Sequence, residues 1–89
     1  MTTRTEHDLL GDKDVPADAY WGVHTARARE NFPITGVPIA VYPHLVVALA
    51  SVKAAAGRAN AELGLLPPRI AKAIDGACAE IRAGALGDQ

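Results

Sequence analysis

Eighty-nine residues make at most one small domain, or part of a larger one. The composition is globular, at 49% hydrophobic and 21% charged with a net charge of −1, so charge gives no reason to expect a nucleic-acid partner. No apolar run approaches the roughly 18 residues of a membrane span, and the charged N-terminal segment lacks the apolar core of a secretory signal. We therefore expect no membrane association and a cytoplasmic location.

The apolar content is carried largely by alanine, with only one Phe, one Trp, one Met and two Tyr in the chain. Alanine favours helix but buries little surface, and apolar burial contributes only about 25 cal/mol per Å². This composition predicts close-packed helices with thin cores. Such helices gain stability from larger partners outside this sequence.

The N-terminal segment is predicted to form a short two-stranded β-ribbon or to stay extended. Residues 1–3 are expected to be a loose terminus. A turn is predicted at Gly11-Asp12, where a glycine interrupts the apolar and polar residues on either side. Pro16 lacks an N–H and disfavours helix at Val15, so we place a boundary there.

A first helix is predicted from Ala19 to about Asn31 or Phe32. Asp18 is the N-cap candidate, since its carboxylate can accept from free N–H groups in the first turn. Pro33 prevents continuation of the helix. The helical spacing predicts one scaffold face formed by Trp21, Thr25, Ala28 and Phe32.

Two longer helices are predicted next, from Pro43 to about Leu63 and from Pro68 to about Ala83, with a left-handed stop at Gly64. The short link between them predicts an antiparallel αα-hairpin, so the chain as a whole is expected to be mainly α. The apolar stripe of the first of these helices comprises Leu45, Leu49, Val52, Ala56, Ala59 and Leu63, and that of the second Ile70, Ile74, Ala77 and Ile81.

Side-chain chemistry alone completes no catalytic constellation and no metal site. His24 has no second His or Cys at ligand spacing and no triad partner, so a hydrogen-bonding structural role is favoured. Glu30 and Asp18 are explained by a surface ion pair and a helix start. Cys78 is the only cysteine, which excludes an internal disulfide, and its position favours a small buried apolar role.

Arg27 is the one residue for which the sequence raises a ligand-binding role. A guanidinium can hold a carboxylate through two parallel hydrogen bonds, as a dicarboxylate site requires. Pairing with Glu30, or capping a helix of a neighbouring chain, explains the same arginine without a ligand. Spacing alone favours these structural explanations and leaves the ligand contact open.

Residues 4–32, RTEHDLLGDKDVPADAYWGVHTARARENF, resemble the N-terminus of the aspartase/fumarase superfamily. The segments VKAAAGRANAELGLL, PPRIAKAIDGACAEI and the final GDQ are similar to the next parts of the same family. Within it, the step Val23-His24-Thr25 resembles the aspartase branch, whereas class II fumarases tend to have glutamine at the His24 position. The resemblance covers nearly the whole chain.

The resemblance implies a homotetramer built around long bundle helices, with active sites shared by three chains and no organic cofactor. The implied reaction is reversible elimination of ammonia from L-aspartate to give fumarate. The family's catalytic serine loop, its central bundle and its C-terminal domain have no counterpart here, so residues 1–89 are expected to be a partial N-terminal domain, inactive alone. Only Arg27 carries over, as an indirect or supporting substrate contact. Two alternatives are a class II fumarase fragment and a non-catalytic helical interaction module.

Overall fold

The computed structural model describes residues 2–89 and is mainly helical, with one two-stranded ribbon, as the sequence predicts. The described chain divides into two compact units, residues 2–37 with residue 89, and residues 38–88. A short 3-10 turn covers Ile39–Val41. The other elements are β1 (Thr3–Asp8), β2 (Gly11–Pro16), α1 (Val23–Asn31), α2 (Pro43–Glu62) and α3 (Pro68–Arg82).

The predicted β-ribbon is present in the first unit. Strands β1 and β2 pair antiparallel, from Thr3 opposite Pro16 to Asp8 opposite Gly11. Thr3 therefore lies in a strand, which corrects the expectation of a loose terminus at that residue; Met1 lies outside the described residues. The strand boundary predicted near Pro16 is confirmed.

The turn of this ribbon lies at Leu9-Leu10, two residues before the predicted turn at Gly11-Asp12. The Asp8 side chain decides the position, because its Oδ1 accepts the Leu10 N–H at 2.9 Å. Gly11 follows with a φ of 112°, a conformation that glycine adopts at little cost. The glycine on which the predicted turn is based therefore lies at the edge of the turn, as the first residue of β2.

Helix α1 begins four residues later than predicted. Its N-cap is Gly22, and Asp18 lies outside the helix and is exposed. The residues before it are held in a non-helical path by contacts with β1. The predicted scaffold face is also wrong, since Phe32 is 69% exposed and the buried residue of α1 is Val23.

The second unit is the predicted antiparallel αα-hairpin. Its two helices have nearly the predicted bounds, and Gly64 ends the first with a φ of 74°, as expected of a left-handed stop. Across the hairpin, the Nη2 of Arg58 lies 2.7 Å from the Oδ1 of Asp75, close to where Gly57 faces α3. This ion pair joins two helices that run antiparallel to each other.

The core between α2 and α3 uses a different face of α2 from the one predicted. Buried Ala50, Ala54 and Cys78 form it, with Ile74 and Ile81 packed against them. Small residues spaced by four and three positions on α2 allow the helices to approach closely, which large side chains would prevent. Cys78 is buried as predicted, whereas the stripe from Leu45 to Leu63 faces away from α3 and is exposed.

We predict that Gly57→Ala stabilises the helical hairpin by about 0.5–1 kcal/mol, because alanine is the better helix former. The added Cβ would lie 3.5 Å from the Cγ2 of Ile74, an ordinary van der Waals distance. Urea unfolding followed by far-ultraviolet circular dichroism measures the change. Gly76→Ala is the matched control, since its Cβ would meet nothing within 4 Å. A loss of stability in Gly57→Ala alone would mean that α2 and α3 need the bare backbone.

Candidate functional site

The candidate site is built on one face of strand β1. Side chains alternate between the two faces of a strand, and the half-buried residues of β1 are Arg4, Glu6 and Asp8. All three are charged. Each makes contacts with the segment that follows β2 or with α1, so this face positions the polar residues of the unit.

Arg4 organises the segment between β2 and α1. Its Nε donates to the Oε2 of Glu6 at 2.8 Å. Its Nη1 and Nη2 donate to backbone carbonyls at 2.8–3.0 Å, and the acceptors are Pro16, Ala17, Ala19 and Trp21. Backbone carbonyls outside regular structure need partners, and one guanidinium supplies them for these four. This explains why the chain does not become helical at Ala19.

Glu6 caps α1 from a neighbouring strand. Its Oε1 accepts the Val23 N–H at 2.9 Å, which satisfies a free donor of the first turn. A Cβ on Gly22 would lie 2.6 Å from the same oxygen, so any larger residue there would push the Glu6 carboxylate out of its capping position. The hydrogen bond from Arg4, followed by that from Val23, holds the pKa of Glu6 below its ordinary value.

Arg27 is held by Asp8 in a two-pronged ion pair. Its Nε donates to Asp8 Oδ2 at 2.8 Å, and its Nη2 donates to Asp8 Oδ1 at 3.0 Å and to the Gly11 carbonyl at 3.1 Å. The Asp8 side chain is 7% exposed and that of Arg27 is 22% exposed. The Arg27 hydrogen bond is the main cause of the lowered pKa of Asp8, and burial opposes it. Arg27 Nη1 takes part in none of these bonds.

His24 lies at the start of α1, one turn before Arg27. Its side chain is 89% exposed, and its Nδ1 is 3.9 Å from Asp8 Oδ2. That distance is too long for a hydrogen bond, so the hydrogen bond expected of His24 is not formed. The structure brings His24 and Arg27 together at one carboxylate, that of Asp8.

A shallow groove of about 340 Å³ lies on another side of the same unit. Lys13 and Glu30 form an ion pair at its rim, and the hydrogen bond from Lys13 lowers the pKa of that carboxyl. Glu30 therefore lies in an ion pair as expected, but the predicted pairing of Arg27 with Glu30 is wrong, because Arg27 pairs with Asp8. The Arg29 guanidinium lies 5.0 Å from the centre of the Trp21 ring, a cation–π distance. The groove is lined by Lys13, Asp14, Pro16, Trp21, Ala26, Arg29 and Glu30.

Sequence reasoning missed the three charged residues of β1. Their signal is the alternation R-x-E-x-D at positions 4, 6 and 8, which places three charges on one face of a strand. These three side chains position helix α1 and the guanidinium of Arg27. Within residues 2–89, no group of three His, Cys, Asp or Glu side chains is placed to hold a metal ion. The same residues contain no helix with the length and apolarity needed to cross a membrane.

Comparison with known proteins gives concordant matches. A family model described as Lyase matches residues 11–89. The chain is 52% identical over 88 residues to an aspartate ammonia-lyase of Pseudomonas aeruginosa, which covers 99% of this chain and 19% of that protein. It is 54% identical over 86 residues to a class II fumarate hydratase of Halobacterium salinarum, covering 97% and 18%.

Solved structures agree in fold. A crystal structure from Brucella melitensis, described as fumarate lyase:delta crystallin, is similar with a TM-score of 0.86 at 47% identity, covering 98% of this chain and 20% of that one. A class II fumarase of Schistosoma mansoni is similar with a TM-score of 0.74 at 32% identity, covering 93% and 17%. The chain therefore spans about a fifth of the length of the proteins it matches.

We predict that Asp8→Asn lowers stability at neutral pH and flattens its dependence on pH. The folded pKa of Asp8 is lowered, so its contribution is complete above the ordinary carboxyl pKa and is lost as pH falls through the folded value. Stability of the variant should fall less steeply below about pH 5. Urea unfolding at a series of pH values, followed by Trp21 fluorescence, reports this unit.

Asp18→Asn is the matched control for that experiment, because Asp18 is exposed and outside the network. It should change the free energy of unfolding by less than about 0.5 kcal/mol. If Asp8→Asn kept the wild-type dependence on pH, the ion pair with Arg27 would not contribute to folding.

Proposed function

The chain belongs to the lyase family that contains aspartate ammonia-lyases and class II fumarases, and on that premise we propose that it is the N-terminal part of an aspartate ammonia-lyase subunit. The observation that carries the proposal is the 52% identity to the Pseudomonas aeruginosa aspartate ammonia-lyase along 99% of this chain. The step Val23-His24-Thr25 supports the same branch.

The proposed reaction is the reversible elimination of ammonia from L-aspartate. A base removes a proton from C3, the C–N bond breaks with its electron pair on nitrogen, and ammonia leaves fumarate behind; the proton taken from C3 then converts the ammonia to ammonium. The intermediate carries extra negative charge on a carboxylate, so preorganised hydrogen-bond donors must stabilise it. Residues 1–89 contain no segment similar to the family's catalytic serine loop, and we propose that they are inactive alone.

Within this fragment, we assign the supporting role to Arg27. Its contacts with Asp8 and the Gly11 carbonyl fix the guanidinium between the ribbon turn and α1. An arginine held on one edge by a carboxylate still has a second edge with which to attract a substrate carboxylate. The proposal therefore makes Arg27 an indirect or supporting contact for a substrate carboxylate.

The assembled protein is proposed to be a cytoplasmic homotetramer, as its family resemblance implies. Its subunits would meet through helices that follow residue 89 in the relatives. The near-neutral composition and the single buried cysteine, Cys78, support an intracellular setting. L-Aspartate and fumarate are the proposed small-molecule partners.

The second candidate function is that of a class II fumarase, which eliminates water from L-malate. The 54% identity to the Halobacterium salinarum enzyme, over 97% of this chain, supports it as strongly as the 52% identity supports the aspartase. Both functions need the same handling of two carboxylates and differ in the group that leaves. The two are separated by substrate preference.

We predict that the complete subunit carrying these residues forms fumarate from L-aspartate and forms little from L-malate. The ultraviolet absorbance of fumarate measures both reactions in one assay. The 89-residue chain alone is the control and should be inactive. A preference for L-malate would assign the protein to the fumarases. Absence of both activities would favour the non-catalytic interaction module.

We predict that Arg27→Lys in the complete subunit raises the KM for L-aspartate roughly tenfold and changes kcat less, because lysine keeps the charge and loses the planar fork. Arg29→Lys is the matched control, since Arg29 lies on the same helix and contacts Trp21 instead. It should leave both constants unchanged. Equal kinetics for wild type and Arg27→Lys would give Arg27 a structural role only.

A further inference from the structure

The guanidinium of Arg27 has one nitrogen left for a ligand. A guanidinium carries five N–H groups. The Nε of Arg27 uses its one N–H on Asp8 Oδ2, and Nη2 uses both of its own, on Asp8 Oδ1 and on the Gly11 carbonyl. Within residues 2–89 the hydrogen bonds of Arg27 leave out Nη1, which keeps two N–H groups. A carboxylate that Arg27 binds from outside this fragment therefore accepts from Nη1.

Asp8 is itself fixed by the ribbon turn. It is the last residue of β1 and lies opposite Gly11, the first residue of β2. Its Oδ1 also accepts the Leu10 N–H at 2.9 Å, which ties the carboxylate to the backbone of the turn. The carboxylate and the Gly11 carbonyl thus form a preorganised set of acceptors, and such a set holds its partner in one geometry at a small cost in entropy.

The pair formed by Asp8 and Arg27 is partly shielded from water. The Asp8 side chain is 7% exposed and that of Arg27 is 22% exposed. Hydrogen bonds between charged groups strengthen as water is excluded, so the guanidinium has one favoured orientation. His24 does not compete for the carboxylate, since its Nδ1 lies 3.9 Å from Oδ2, beyond hydrogen-bond distance.

Asp8 has two opposite effects on the binding of an anion by Arg27. Its negative charge offsets that of the guanidinium and so weakens the attraction at long range. Its two hydrogen bonds hold the guanidinium still, which removes the cost of ordering a long side chain when a ligand binds. Salt and water screen the first effect and leave the second unchanged, so the gain from orientation is the larger.

We propose that Asp8 is a positioning residue for substrate binding, which acts through Arg27 by holding Nη1 ready to donate to a substrate carboxylate. This inference rests on the proposed function, because it takes the substrate to be a dicarboxylate. Asp8 itself touches no substrate, since its side chain is nearly buried and both of its oxygens accept hydrogen bonds from this chain.

Asparagine cannot replace Asp8 in this role. The carboxylate accepts three N–H groups on two oxygens: those of Leu10 and of Arg27 Nη2 on Oδ1, and that of Arg27 Nε on Oδ2. The asparagine side chain has one oxygen, and its NH2 group would face another donor. With that oxygen on Leu10, the turn is kept and the bond to Nε is lost, which frees the guanidinium to rotate.

We expect Asp8→Asn in the complete subunit to raise the KM for L-aspartate roughly five- to tenfold and to change kcat less. Initial rates of fumarate formation give both constants. Asp12→Asn is the matched control, because it is the same substitution in the same ribbon and Asp12 pairs with the exposed His7. Its KM should stay within about twofold of the wild-type value. An unchanged or lowered KM for Asp8→Asn would overturn the proposal, since charge would then outweigh orientation.

A double variant separates positioning from a merely structural role. Adding Asp8→Asn to Arg27→Lys should leave KM within about twofold of that of Arg27→Lys alone, because lysine has no planar fork to orient. Independent effects would multiply to a rise on the order of fiftyfold or more, which would contradict an action through Arg27.

Asp8→Glu tests the same point without removing the charge, and far-ultraviolet circular dichroism checks that every variant is folded. Glutamate keeps both oxygens and moves them by about one carbon–carbon bond, roughly 1.5 Å. The guanidinium is displaced with them, so the KM should rise in this variant too. A wild-type KM for folded Asp8→Glu would overturn the proposal, also in the case that Asp8→Asn does not fold.

Wild-type activity separates the failure of this inference from the failure of the proposed function. Turnover of L-aspartate with an unchanged KM in Asp8→Asn would refute the positioning and leave the lyase assignment intact. Turnover of L-malate instead would refute the aspartase assignment alone, and the KM for L-malate, which also has two carboxylates, would then have to rise in Asp8→Asn. A wild-type protein inactive with both substrates would overturn both.

Discussion

The placement of α1 depends on two carboxylates of β1. Glu6 caps the first turn of the helix, and Asp8 holds Arg27 one turn further on. Helix α1 has no side-chain cap of its own and buries only Val23 among its nine residues. Nine residues are too few for a stable isolated helix in water. Hydrogen bonds to β1 therefore hold this helix in place, whereas most helices are held by the burial of a hydrophobic face.

The second unit is stabilised by a different kind of contact. Helices α2 and α3 meet through small buried residues, Ala50, Ala54 and Cys78, with isoleucines at the edge. Small side chains give close approach but little buried area, so the favourable free energy per helix turn is low. The large side chains of α2 point the other way. A hairpin built like this resembles one layer of a thicker structure.

The two units differ in the chemistry of their surfaces. The ribbon and α1 fix a charged cluster at Asp8, where His24 and Arg27 meet. The hairpin offers an uncharged surface for packing. Family membership follows from the sequence, whereas the charged cluster and the uncharged surface follow from the contacts.

The sequence by itself determined the element types, the helical hairpin with its glycine stops, and the family. These features depend on the local conformational preferences of the residues and on the periodicity of apolar residues, both of which can be read from the sequence. Only the tertiary structure decided the start of α1 and the side of α2 that is buried. Arg4 and Glu6 lie distant in sequence from the segment they hold, and α3 selected the alanine face over the leucine face because close helix approach requires small side chains.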